Sequence, residues 1–452
     1  MLALGVGIGI RDIARSTFYP LDGQLDFRPL YCTGVVVGAR EDPYQIEPLR
    51  SCEHRYAVSL LARSPHLLMP FVLPGYDAAP LWLLAKLPFA WAEPTYTLLS
   101  CTALVAAIAL VAYALRVPLV LAAGTLGLSV GLPSIALGQL APFELLALAA
   151  TAAALRAGRD REAGALAALT LLDPHVGLFV CVATALLVSR ARMTLGLGLA
   201  GLAVADVFTV PGGQLAYLTS VLPLQASAQA RAPDQYSLTF LLAVLGATDR
   251  AALALGAVST AALLAAGVAF AQRWSRLGER AGVAFAPAAC AVIAGSYVHI
   301  TQIAFAVPAA LLLLRTAPTR TTRALAGTAL VLLAVPWPYP AIVKNVLALS
   351  LVSCAIALWF ATDGSLRLTV AGLCACMAVL VFAENHAPGP LPPPLVRQSP
   401  AGSSYETQWR DAIGREEGID AFHLAEKFPT WLGLVALLGA GGLVVRRPSR
   451  AA

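Results

Sequence analysis

The sequence predicts an all-α fold, a polytopic bundle of transmembrane helices. Its 452 residues are 58% hydrophobic and only 12% charged, with a mean hydropathy of +0.74. Soluble domains carry about 25% charged residues, twice this share. Apolar stretches long enough for a spanning helix, which needs ~17–25 residues, recur along the whole chain. They include 94–115, 249–271, 341–360 and 429–445.

These stretches leave no room for a separate soluble domain, so residues 1–452 form one membrane domain. We expect about 11–14 spans, although 2–10, 162–172 and 175–189 are short for full crossings. Broken segments of this kind survive at membrane depth where they are buried in protein or line a cavity.

Arginine placement predicts the orientation. The cytoplasmic side of a membrane collects Lys and Arg in its short loops, so we place the arginine clusters and both termini in the cytoplasm of a bacterial plasma membrane. The net charge of +6 reflects this bias and indicates no nucleic-acid partner. The clusters are Arg156, Arg159 and Arg161; Arg190 and Arg192; Arg273, Arg276 and Arg280; Arg315, Arg320 and Arg323; and Arg446, Arg447 and Arg450.

The remaining polar segments then face outward. The two longest are the first extracytoplasmic loop, 14–80, and the last, 384–428. The first loop mixes apolar and charged residues, a pattern typical of helices lying in the membrane interface. Cys32 and Cys52 both fall in this loop, on the oxidising side of the membrane, where they can form a disulfide or remain free. The shorter outward segments are 133–139, 211–248, His299 and 336–340.

Short polar motifs lie in these outward segments. They are Asp26-Phe27-Arg28-Pro29-Leu30-Tyr31, Gly38 to Pro43-Tyr44, Tyr76-Asp77-Ala78-Ala79-Pro80, Gly138-Gln139, Asp173-Pro174, Asp234-Gln235-Tyr236-Ser237 and Ser296-Tyr297-Val298-His299. In their order and placement, from about residue 20 to 315, these motifs resemble those of glycosyltransferase family 87, multi-spanning enzymes that use polyprenyl-phosphate sugars. The resemblance implies a transmembrane bundle of GT-C type.

The resemblance implies transfer of one sugar, mannose by the family default, to a lipid or polysaccharide hydroxyl outside the cytoplasm. Asp26 matches the general base, which must reach the acceptor hydroxyl as that group attacks. His299 matches a residue acting on the donor phosphate or in acid–base chemistry. Polyprenyl phosphate leaves readily, so we expect no metal or other cofactor. The expected substrate-binding residues are Arg28, Tyr31, Asp42, Tyr44, Gln139, Asp173, His175, Gln235, Ser296 and Gln302.

Two departures from the family pattern bear on substrate identity. Asp173 stands where the family has a lysine that can pair with a lipid phosphate, and His175 is a candidate replacement. Thr301 and Gln302 stand where the family often has an aspartate. Residue chemistry also leaves plainer roles open: Asp26 as a helix cap, Asp42 as the start of a turn and His299 as an interfacial residue.

A transporter or flippase of lipid-linked sugars is the alternative function, and a structural role in an envelope complex is a third. A transporter should carry polar groups along a mid-membrane path and repeated halves. Here the charges collect at the outer ends of the spans and in the first loop, which favours the enzyme. The sugar, the acceptor and the linkage stay open.

Overall fold

The computed structural model describes residues 26–56, 70–127, 129, 134–135, 137–210, 213–232, 235–295, 297–335 and 421–446. Over these residues the chain is helical and forms no strand; a single antiparallel bridge joins Gln235 to His299. The all-α prediction is therefore confirmed for this part of the chain. The predicted segments 2–10 and 341–360, and most of the loop 384–428, lie outside the described residues.

The helices follow the apolar stretches closely, with short 3-10 turns between several of them. In chain order they are α1 (Phe27–Gly38), α2 (Ile46–Arg55), α3 (Ala78–Leu84), α4 (Phe89–Leu115), α5 (Leu119–Leu126), α6 (Ala141–Arg156), α7 (Asp160–Leu169), α8 (Pro174–Leu187), α9 (Arg192–Thr209), α10 (Gly213–Ala216), α11 (Leu222–Ala228), α12 (Leu238–Val244), α13 (Asp249–Arg276), α14 (Gly282–Ala291), α15 (Val307–Thr316), α16 (Arg320–Leu333) and α17 (Ala421–Arg446).

Four described segments are long and apolar enough to cross a bilayer. They are Phe89–Leu115, Ser189–Thr209, Asp249–Arg276 and Lys427–Arg446. The longest has 28 residues, about 42 Å of helix against a hydrocarbon core of about 30 Å. Further apolar helices, such as Pro174–Leu187 and Gly282–Ala291, are shorter. The chain thus has the character of a membrane protein, and the larger number of spans remains a prediction.

The short segments at 162–172 and 175–189 are two helices that meet at Asp173. A 3-10 turn, Thr170–Leu172, ends the first, and Pro174 begins the second. The Asp173 carboxylate caps α8 by accepting hydrogen bonds from the backbone N–H groups of His175 and Val176. Proline suits this first helical position because its missing N–H would have no partner there.

The short helix α14 lies at the centre of the larger hydrophobic core. All of its residues are buried, and it packs against α6, α8 and α13. Small side chains allow these close approaches. At Gly267 of α13, an added Cβ would lie 3.0 Å from Pro287 Cα of α14.

The described part of the first loop forms a second hydrophobic cluster around α1, α2 and α3. Its two first helices are joined by a Cys32–Cys52 disulfide with Cα atoms 5.6 Å apart. Most of the 12 residues of α1 are buried, including Phe27 and Arg28. Helix α1 therefore packs inside the protein and differs from the interfacial helix that its mixed composition predicts.

The basic loops meet at one end of the bundle. Arg280, after α13, donates a 2.5 Å hydrogen bond to Asp160 at the start of α7. Arg315, at the end of α15, pairs with Glu279. Arg273 donates to the carbonyl of Val444, near the end of α17. The loops that the arginine pattern assigned to one side of the membrane thus share one end of the molecule.

Candidate functional site

Asp26 and Gln139, both predicted site residues, bind each other across 113 positions of sequence. Gln139 Nε2 donates a 2.6 Å hydrogen bond to Asp26 Oδ2, and the backbone N–H of Asp26 donates to the Leu137 carbonyl at 2.8 Å. Asp26 precedes α1, yet its side chain makes no cap hydrogen bond to that helix. Its half-buried carboxylate is oriented by Gln139, just before α6, rather than by the helix it precedes.

Asp173, His299 and Gln302 form a second group. Gln302 Nε2 donates to Asp173 Oδ2 at 2.6 Å, while Gln302 Oε1 accepts the backbone N–H of His299 at 2.7 Å. With Asp173 Oδ1 already capping α8, the carboxylate uses both oxygens within the protein. Asp173 thus ties the start of α8 to the segment that carries His299.

Gln235 is the buried partner of this segment. It forms the antiparallel bridge with His299, and its Oε1 accepts the backbone N–H of Val298 at 3.0 Å. The next residue, Tyr236, donates its backbone N–H to the Val298 carbonyl at 2.8 Å. These bonds fix the backbone on which the His299 side chain is carried.

Two histidines flank one tyrosine at the same place. The rings of His175 and Tyr297 stack with centroids 5.9 Å apart, and those of Tyr297 and His299 with centroids 6.3 Å apart. Both histidines are half-buried. His175 and His299, which are 124 positions apart in sequence, thus lie on the two sides of Tyr297 in one row of stacked rings.

An apolar cavity of about 340 Å³ adjoins this row. The polar groups in its lining come from His175, Tyr76 and Tyr217. The leucines Leu178, Leu199 and Leu218 also line it, and each is partly exposed at the surface of the protein. The cavity therefore adjoins an exposed apolar surface.

Three buried carboxyl groups are absent from the predicted site residues, although Asp77 lies in one of the motifs. They are Asp77, Glu144 and Asp206. Neither oxygen of Asp77, which is 1% exposed, has a hydrogen-bond partner within the described part of the chain. Burial raises the pKa of Asp77 well above its usual value, and the charges of Asp173 and Asp206 add to the rise. A signal existed for Asp206, which interrupts the apolar run 193–210, where an ionisable group marks a functional candidate.

The charges of these groups act on one another across this region. Glu144 lies within range of the Asp173 and Asp77 charges, and Tyr96 lies within range of the Glu144 and Asp26 charges. We therefore use the term polar centre for the predicted site residues brought together here. They are Asp26, Gln139, Asp173, His175, Gln235, His299 and Gln302.

Several other predicted residues make structural contacts. Tyr31 and Tyr44 donate their hydroxyls to the carbonyls of Leu87 and Leu73, each at 2.9 Å. Asp42 accepts the backbone N–H of Tyr44 at 2.9 Å, which is the turn geometry that its Asp-Pro sequence also predicted. Arg28 is buried in the second cluster, and Ser296 lies outside the described residues. Binding of substrate by these five residues stays a prediction.

Two of the outer cations make contacts away from the polar centre. Arg231 forms an exposed ion pair with Asp249 at 2.8 Å, and Lys86 lies over the ring of Trp82. Among the described residues, no group of three or more His, Cys, Asp and Glu side chains is arranged to hold a metal ion.

No family model, no curated protein and no solved structure matches the chain.

Proposed function

We propose that this protein transfers a single sugar from a polyprenyl-phosphate donor to an acceptor hydroxyl, with Asp26 as the general base. The observation that carries the proposal is the Asp26–Gln139 hydrogen bond. A general base must be held in one orientation and remain reachable by the acceptor. Asp26 meets both conditions because Gln139 binds one carboxylate oxygen and the side chain is only half-buried.

The proposed step balances without a cofactor. The acceptor oxygen bonds to the anomeric carbon of the sugar while its proton passes to Asp26. The bond between the anomeric carbon and the phosphate oxygen breaks, and its electron pair leaves with the polyprenyl phosphate. The stable leaving group removes the need for a metal to polarise the bond. Mannose, the family default, remains the first sugar to test.

The cavity beside His175 supports a lipid-linked donor. Its lining is mostly apolar, with polar groups from His175, Tyr76 and Tyr217 and with partly exposed leucines. Ligand sites with this character, mostly apolar with a few placed polar groups, fall between about 300 and 1,000 Å³. In this proposal a prenyl chain enters from the bilayer past the leucines and places its phosphate beside His175.

The two histidines are the best candidates for the donor phosphate. Both carboxylate oxygens of Asp173 accept hydrogen bonds within the protein, from the α8 backbone and from Gln302. We therefore assign Asp173 to positioning these elements rather than to binding substrate. His175 and His299 lie on either side of Tyr297 and can each donate a hydrogen bond to an anionic oxygen. The mannosyl-donor chemistry would thus use histidine where the family pattern has lysine.

The test is sugar transfer by the purified protein, supplied with radiolabelled polyprenyl-phosphate mannose and an envelope-lipid extract. We expect Asp26→Asn to lower the rate by about 10²–10⁴-fold, the usual contribution of a positioned base. Gln139→Leu should lower it less, because the base remains but loses its orientation. Glu47→Gln, in the same loop but with an exposed side chain that pairs with Arg50, is the matched control and should keep the wild-type rate. Full transfer by Asp26→Asn would sink the assignment of the base.

A carrier of lipid-linked sugars is the second candidate, because buried carboxyl groups at Asp77 and Asp206 resemble the proton relays of membrane transporters. Proteoliposomes holding the labelled donor on one face separate the two functions. Movement of intact donor across the bilayer without transfer, equally fast in wild type and Asp26→Asn, favours the carrier. Transfer that depends on Asp26 favours the enzyme.

A further inference from the structure

Helix α17 contacts Tyr236, the neighbour of Gln235 in the polar centre, through a segment that no motif includes. Near its start, Lys427 is buried, with Nζ 4.1 Å from the ring centroid of Tyr236 and 5.0 Å from that of Phe240. One turn later, Trp431 Nε1 donates a 3.1 Å hydrogen bond to the Tyr236 carbonyl. Both contacts converge on Tyr236, 195 positions away from Trp431 in sequence.

From Tyr236, backbone bonds lead directly to the polar centre. Tyr236 donates to the Val298 carbonyl at 2.8 Å, and Val298 donates to the side chain of Gln235 at 3.0 Å. The adjoining His299 donates to Gln302, which in turn binds Asp173. The Tyr236 backbone is therefore bonded on both sides, to Trp431 and to the His299 segment.

We propose that Lys427 and Trp431 are positioning residues. They fix Tyr236, so that the bridge between the adjacent Gln235 and His299 holds His299 in the position that sugar transfer requires. This inference rests on the proposed function, because it assigns His299 a part in sugar transfer. Neither residue needs to touch substrate. Helix α17 would then help to complete a site whose other residues lie between Asp26 and Gln302.

The burial of Lys427 supports the inference. A buried ammonium group is costly unless its charge is compensated, and a desolvated cation–π contact offsets part of that cost. Two aromatic rings face Nζ here. The ammonium group therefore helps to hold the Tyr236 and Phe240 rings against α17, a contact that an apolar side chain of similar length would not make.

The first test is independent of activity. Amide hydrogen exchange is measured on peptides covering 235–240 and 297–302 in wild type, Lys427→Met, Lys427→Arg and Trp431→Phe. We expect exchange in both peptides to speed up about tenfold or more in Lys427→Met and Trp431→Phe. Lys427→Arg should stay near wild type, because a guanidinium also binds aromatic faces. Unchanged exchange in Lys427→Met would overturn the proposal.

The chain offers matched controls. Lys86 lies 4.5 Å from the Trp82 ring centroid in an exposed version of the same contact, and Trp91 is exposed on α4. Lys86→Met and Trp91→Phe should leave exchange at 235–240 and 297–302 unchanged. Equal acceleration by the controls would reduce the effect to general loosening and would also overturn the proposal.

The second test uses transfer kinetics. Because His299 is proposed to bind the donor phosphate, misplacing it should lower kcat/KM for the donor about tenfold in Lys427→Met. Lys427→Arg should keep the wild-type kcat/KM. If wild type transfers no sugar, the proposed function fails, and the exchange measurement alone then tests the positioning role. An unchanged kcat/KM in Lys427→Met contradicts the positioning role.

Discussion

Asp77 shows how a single residue can make stability depend on pH. It lies in a 3-10 turn before α3, outside the four candidate spans, and burial followed by the Asp173 and Asp206 charges raises its pKa. Unfolded, it would titrate near its usual value of about 3.9. Between that value and the higher native pKa, the native state binds more protons, so the free energy of unfolding falls as pH rises.

Asp77→Asn should therefore raise the thermal midpoint at pH 7 by about 2 °C or more. The gain should be smaller at pH 4, where the wild-type carboxyl is protonated in the native state and already about half protonated in the unfolded state. Thermal unfolding in detergent across pH 4–8 measures it. Glu162→Gln, an exposed residue paired with Arg159, is the control and should leave the pH profile unchanged. A midpoint difference that does not vary with pH would show that the Asp77 charge is not the cause.

At the scale of elements, the Cys32–Cys52 disulfide ties α1 to α2 next to Asp26. Its cysteines are 20 positions apart, and closing a loop of this length contributes about 3 kcal/mol in the chain-entropy account. Cys32→Ala/Cys52→Ala should lower the thermal midpoint, and reductant should lower the wild-type midpoint to the same value. Cys101→Ala, which removes a free thiol, should respond to reductant as wild type does. A reductant effect that persists in the double variant would assign it to other groups.

The elements themselves could largely be predicted, since apolar runs set the ends of α4 and α13 within a few residues. Pairing between distant elements could not. Motif order placed Asp26, Gln139, Asp173 and His299 on one side, but only packing shows that Gln302 binds Asp173. The role of Lys427 could not be predicted for the same reason. In sequence it lies at the edge of a polar loop, and it is buried because α17 packs against Tyr236.

At the scale of the whole molecule, the polar centre and the basic loops occupy opposite ends of the same helices. Helix α6 begins at Ala141, beside Gln139, and ends at Arg156. Its 16 residues give the helix a length of about 24 Å. Segment 160–172 runs back from the basic end to Asp173. If the basic loops face the cytoplasm, as the positive-inside rule predicts, the polar centre must face outward, where lipid-linked donors would be consumed.

Two exposed ion pairs allow this orientation to be tested with little cost in stability, since such pairs contribute only about 0–1 kcal/mol. Arg231 pairs with Asp249 on the predicted outer side, and Glu162 with Arg159 at the basic end. In a background that keeps Cys32 and Cys52 but lacks the other cysteines, Arg231→Cys should react with a membrane-impermeant maleimide in intact cells. Glu162→Cys should react only after permeabilisation. The reverse labelling would show that the polar centre faces the cytoplasm. This result would contradict a transfer reaction on the outer side of the membrane, and with it the assignment of the donor and of the base.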